Sequence, residues 1–108
     1  MQITDEPGEY KCSEGELIQI RFFCIPQREN VNIRSSFDGV NFVTVTTNSI
    51  QFLMGNSKVT LRLQYAFINA GSCLNQILIV DNSPTGDDRI TTGASDGGMD
   101  FIALNFKP

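Results

Sequence analysis

The chain has no histidine and no tryptophan among its 108 residues. Without an imidazole it lacks the usual general base, the middle member of Ser and Cys triads, and the commonest zinc ligand. Its three cysteines, Cys12, Cys24 and Cys73, show no Cys-x-x-Cys spacing, which argues against a structural zinc site. No apolar run approaches the roughly 20 residues a membrane helix needs; the longest uncharged apolar stretch, Phe22 to Pro26, is short. Gly97-Gly98 lies in a polar segment with no helix after it, so no phosphate-cradling loop is present. A basic stripe with interleaved aromatics is also missing, and nucleic acid is not an expected partner. Carboxylate-only hydrolysis would need two acids held across a cleft. On this inventory the expectation is a protein that is not an enzyme and has no cofactor.

What is present alternates. From Lys58 to Ile68, Val59, Leu61, Leu63, Tyr65 and Phe67 interleave with Thr60, Arg62, Gln64, Ala66 and Ile68. Strand side chains point to opposite faces with period two, so this is a strand with one apolar and one mainly polar face. Leu17 to Ile25 repeats the pattern with Ile18, Ile20, Phe22 and Cys24 on one face. Val31 to Phe37 does so with Val31, Ile33, Ser35 and Phe37. Asp38-Gly39 then signals a hairpin into Val40 to Thr47, where Phe42, Val43 and Val45 shift the apolar parity and suggest a bulge. Further strands are expected at Gln2 to Thr4, Glu9 to Cys12, Ser49 to Met54, Leu74 to Asp81, Arg89 to Thr92 and Met99 to Phe106, with Gly93 to Gly98 a loop. Eight or nine strands predict an all-β fold over residues 1–108: one antiparallel two-sheet β-sandwich, immunoglobulin-like or jelly-roll-like, with a closed barrel as the main rival.

The net charge of −4 is unevenly spread, with acidic segments at 1–16 and 81–100 around a mildly basic middle. That distribution opposes non-specific nucleic-acid binding. Met1 to Glu6 lacks the basic and apolar regions of a signal peptide, so the expectation is a cytosolic or virion setting, with a mature chain whose leader was trimmed and replaced by Met as the alternative. An odd cysteine count leaves at least one thiol free in a monomer. Cys73 is positioned to approach Cys24 across a sandwich, but two buried reduced thiols fit the pattern equally.

Three candidate sites emerge. Asp81, Asp87, Asp88, Asp96 and Asp100 supply hard oxygens that would suit Ca²⁺, although turn chemistry accounts for the same residues. Arg21, Arg34 and Arg62 all fall on the polar parity of their strands and would suit anionic or hydroxyl-rich ligands. In an immunoglobulin-like order Arg21 and Arg62 share a sheet and Arg34 lies on the other. Among the aromatics, Phe37, Phe42 and Tyr10 are expected nearest the surface. Third, the edge pieces Gln2 to Thr4 and Arg89 to Thr92 could pair with a neighbour, which makes a homo-oligomer plausible.

Ser36-Phe37-Asp38-Gly39-Val40-Asn41-Phe42 loosely resembles the Asp-box hairpin of sialidase-like repeats, over seven residues and once. Gly follows Asp immediately and Phe replaces Trp, so the resemblance implies a hairpin and no sugar site. Few charges with many Thr, Asn, Ser and Gly suit an interaction or assembly module, such as a virion or appendage component, that meets a protein partner or its own copies. A carbohydrate- or calcium-binding lectin-like module is the alternative. No membrane role is expected.

Overall fold

The computed structural model describes residues 1–23, 28–68, 72–81, 87–95 and 98–108. Within 72–81 and 87–95 the described side chains are those of Val80, Asp88 and Ile90. The described residues form two β-sheets joined by turns, with no α-helix and one 3₁₀ turn at Arg28–Asn30. No helix among them is long and apolar enough to cross a membrane.

The strands are β1 (Gln2–Ile3), β2 (Glu9–Lys11), β3 (Leu17–Phe23), β4 (Val31–Ser36), β5 (Val43–Val45), β6 (Ser49–Leu53), β7 (Val59–Phe67), β8 (Ser72–Asp81), β9 (Asp87–Ser95) and β10 (Met99–Lys107). One sheet has the order β1-β2-β10-β7-β4-β5 and the other β6-β3-β8-β9. Pairing is antiparallel except between β2 and β10, which run parallel.

The alternation read from the sequence decides which faces meet. Ile18, Ile20 and Phe22 of β3, Leu61, Leu63, Tyr65 and Phe67 of β7, and Leu104 and Phe106 of β10 are all buried in one cluster shared by both sheets. Phe22 of one sheet meets Tyr65 of the other edge-on, with ring centroids 6.3 Å apart. Phe52 of β6 meets Phe106 of β10 edge-on at 5.1 Å, and Phe106 also stacks on Tyr10 at 5.3 Å. A bond from the Tyr10 hydroxyl to the Asp88 carboxylate, 2.8 Å long, ties β2 to β9.

Four expectations need correction. Tyr10 is 1% exposed, because β2 turns it inward opposite Phe106. The parity shift at Phe42 is not a bulge: Ser35 pairs with Val43, so Phe42 belongs to the loop and β5 starts after it. The strand expected at Arg89 to Thr92 runs from Asp87 to Ser95, taking in part of the expected loop. Strands β3 and β8 are neighbours in one sheet, so β8, which carries Cys73, is not placed across the core from β3. Cys24, Asp96 and the turn at Asn82 to Gly86 lie outside the described residues, as does the Cys73 side chain.

Arg28 closes one end of the core. Its guanidinium donates to the carbonyls of Val31 (2.8 Å), Val45 (2.7 Å) and Thr47 (3.3 Å), and it lies over the Phe22 ring at 5.9 Å. Nothing in its sequence neighbourhood marks it for this role. Arg28→Ala is expected to cost about 1–3 kcal/mol, the range for hydrogen bonds made by a charged group. Phe106→Ala, at a fully buried ring, is expected to cost about 3–5 kcal/mol. Urea titrations measure both; Val40→Ser, at an 80% exposed side chain, should stay within about 0.5 kcal/mol of the parent.

Candidate functional site

The registers bring two of the three singled-out arginines together. On the outer face of the six-stranded sheet Thr44, Arg34, Gln64 and Phe101 form one row across β5, β4, β7 and β10. Ser36, Arg62 and Ala103 form the next, and Asn32, Ala66 and Met99 a third. Arg34 and Arg62 are therefore diagonal neighbours on adjacent strands, within reach of a common ligand. Arg21 is not part of this group. Strand β3 pairs with β6 and β8, so Arg21 belongs to the other sheet, the reverse of the expected grouping.

The loop between β4 and β5 finishes this face. Asp38 Oδ1 accepts from the Ser36 hydroxyl and from the Val40 and Asn41 amides, and Oδ2 accepts from the Asn41 side-chain amide. The Gly39 amide donates to Ser36 Oγ. Those donors, the Asn41 amide first, hold the Asp38 carboxyl well below the usual carboxylate range. The loop then folds back over the sheet. Gly39 has φ +78°, and a Cβ built there would lie 2.6 Å from Arg62 Nη1, so a larger residue would displace the guanidinium. Phe42 lies over Arg34 at 5.9 Å. Between Phe42 and Phe101 lies an open notch of about 280 Å³ whose lining includes Arg62 and Ala103. No carboxylate pairs with Arg34 or Arg62 among the described residues.

Phe101 is 67% exposed and Met99 is also exposed. Neither was singled out from the sequence, although the inward parity of Ile102, Leu104 and Phe106 already placed them outward.

The aspartates do not gather. Asp88 receives the Tyr10 hydroxyl, while Asp100 Oδ1 accepts from the Phe101 amide in its own sheet. Asp81 and Asp87 oppose one another on β8 and β9, but their side chains are outside the description, as is all of Asp96. Among the described residues no three His, Cys, Asp or Glu side chains converge to hold a metal.

Cys12 is free and buried beside Lys11 and Ser13. Burial, aided by the charge of Glu16 and opposed by the terminal ammonium, pushes its thiol up to about 11. Comparison with protein-family models, with curated proteins and with solved structures returned no match.

Two pH effects follow. A raised thiol pKa means the unfolded chain releases its proton first, so this contribution is intact below about 9 and is lost as pH climbs toward about 11. Cys12 is accordingly expected to resist iodoacetamide at neutral pH and to react readily in denaturant, as timed mass spectrometry would record. A depressed carboxylate pKa works in the opposite sense: Asp38's contribution is present above the ordinary value of 3.8 and is lost only as pH falls well below it. The Val40 and Asn41 amide resonances should keep their loop shifts through that value, and Asp38→Ala should abolish those shifts at every pH.

Proposed function

We propose that this chain is a non-enzymatic structural or interaction module: one β-sandwich that works through its surface and associates with a protein partner or with itself, as virion and appendage components do. The observation that carries the reading is the outer face of the six-stranded sheet. Two arginines with no acidic partner among the described residues, an exposed Phe101 and an exposed Met99 share one sheet face. Arg and aromatic residues anchor protein interfaces, and Met is enriched there too, because each combines large contact area with adaptable polarity or shape. The notch, at about 280 Å³, is near the lower limit for sites that enclose a small molecule, but it accommodates a side chain of a partner.

The strand neighbours support the immunoglobulin-like variety of sandwich. Strands β4, β7 and β10 adjoin as C, F and G do, and β3 lies beside β6 as B lies beside E. The hairpin β8–β9, inserted between β7 and β10, departs from that plan and takes the place beside β3. The edge positions of β1 and β9 support self-association, since among the described residues each has one unpaired side of a ladder.

Sedimentation velocity tests the reading. The weight-average coefficient should rise between micromolar and near-millimolar protein, and Phe101→Ser combined with Arg62→Gln should reduce that rise. A coefficient that stays at the monomer value throughout would count against it.

A second reading, a carbohydrate-binding lectin-like module, is favoured by one feature: Arg62 beside Phe42 and Phe101 offers a cation and ring faces to a carboxylated sugar. A glycan array should then return acidic sugars, and an array without hits removes it. The calcium version rests on the aspartates of 81–100, and identical thermal melts in Ca²⁺ and EDTA would remove it.

A further inference from the structure

The ladder beside β10 stops halfway. The Phe67 amide donates to the Gly98 carbonyl, which fixes the alternation of the antiparallel β7–β10 pair. Asp100, Ile102 and Leu104 therefore aim their backbone groups at β7, while Met99, Phe101, Ala103 and Asn105 aim theirs away from it. The Asn105 amide is taken by the Gly8 carbonyl at 2.8 Å, where β2 begins. Upstream of Gly8 the chain turns off into the Thr4–Glu9 hairpin. Gly8 has φ +75°, and a Cβ there would lie 3.0 Å from the Ala103 carbonyl oxygen. From Met99 to Ala103 no strand pairs with this side of β10 among the described residues.

A cavity of about 540 Å³ opens beside this unpaired edge. Ile90 of β9 and Ile102 of β10 contribute to its lining, both partly buried and packed against the core. Pro7 and Gly8 also line it, as do Asp5 and Asp88, with no basic side chain among the described residues of the lining. Open backbone groups and an adjoining apolar hollow are the two halves of a strand-accepting site. The first supplies main-chain hydrogen bonds; the second accepts alternate side chains of an added strand.

We propose that the edge from Met99 to Ala103 is a docking groove for an extended segment of a separate polypeptide, one that places an aliphatic side chain over Ile90 and Ile102 and carries basic residues at its ends. The charge of the partner follows from the lining: Asp5 and Asp88 belong to the cavity, with Glu6 beside Asp5 in sequence. Asp100 also regulates the edge. Its carboxylate already accepts the Phe101 amide at 2.9 Å, so one of the donors an incoming strand would use is held back. The proposal rests on the interaction-module reading and names the partner of one edge of it.

The test uses ¹⁵N-labelled full chain and a set of capped hexapeptides alternating Val, Ile or Leu with Thr, with Lys at both ends. Binding should shift the Met99, Phe101 and Ala103 amide resonances and slow exchange of the Met99 and Ala103 amides. Ala103→Pro removes only a donor that points to the open edge, so the variant should fold and bind about tenfold more weakly. Asp100→Ala, which releases the Phe101 amide, should bind more tightly. A peptide set that moves none of these resonances overturns the proposal, and so does an Ala103→Pro variant that binds as well as the parent. If the Met99 and Ala103 amides become protected from exchange with protein concentration alone, the edge is paired by a second copy and the separate-polypeptide assignment is overturned; shifts without that protection belong to association through the Arg34–Phe101 face. Peptide failure beside a rising sedimentation coefficient removes the groove alone, whereas failure of both removes the module reading with it.

Discussion

Phe106 is the point at which the two sheets depend on one another. It stacks on Tyr10 within its own sheet and meets Phe52 of the opposite sheet edge-on. Offset and edge-to-face geometries are the favoured arrangements of aromatic pairs, so the ring fixes spacing as well as filling volume. Phe22 against Tyr65 repeats the contact further along the core. Since the pleat permits only alternate residues to point inward, putting these rings inside forces Arg34, Arg62, Gln64 and Phe101 outside. The surface chemistry is thus a consequence of the core pattern and not an independent feature.

Most of the strands were legible in the sequence because alternation is a local property. The inward sets on β3, β7 and β10 are those the periodicity predicts. What alternation cannot encode is which sheet a strand joins. Arg21, Arg34 and Arg62 were correctly assigned to polar parity, yet the grouping was wrong, since pairing partners depend on long-range topology, which puts β7 between β4 and β10 and β3 between β6 and β8. Tyr10 was misplaced for a related reason. In a strand of three residues there is too little pattern to set an inward face, and its burial comes from Phe106 and Asp88, distant in sequence.

The loop from Phe37 to Phe42 shows a different limit. Asp-Gly correctly announced a hairpin, but a two-residue turn would leave Phe42 within the strand. The Asp38 carboxylate instead gathers the Val40 and Asn41 amides and lengthens the connection. One acceptor in place of several solvated amides decides the loop's shape, and that shape carries Phe42 onto Arg34. The aromatic wall of the notch therefore depends on the Asp38 hydrogen bonds that shape the loop.

Open strand edges invite uncontrolled pairing, and the two sides of this molecule treat that hazard differently. Strands β5 and β6 end their sheets on adjoining segments of chain, Val43–Val45 and Ser49–Leu53, so a short connection spans that side. On the other side β10 is left half-paired, and the hollow beside it includes Asp5 and Asp88. Asp100 occupies the Phe101 amide, while Asp5 and Asp88 place like charge where another copy's equivalent edge would approach. Repulsion between identical acidic rims disfavours edge-to-edge pairing of two copies along β10, while a basic strand meets no such barrier. The arrangement that guards the edge against itself is the arrangement that selects what it accepts. Self-association, where it occurs, is accordingly better served by the Arg34–Phe101 face than by this edge.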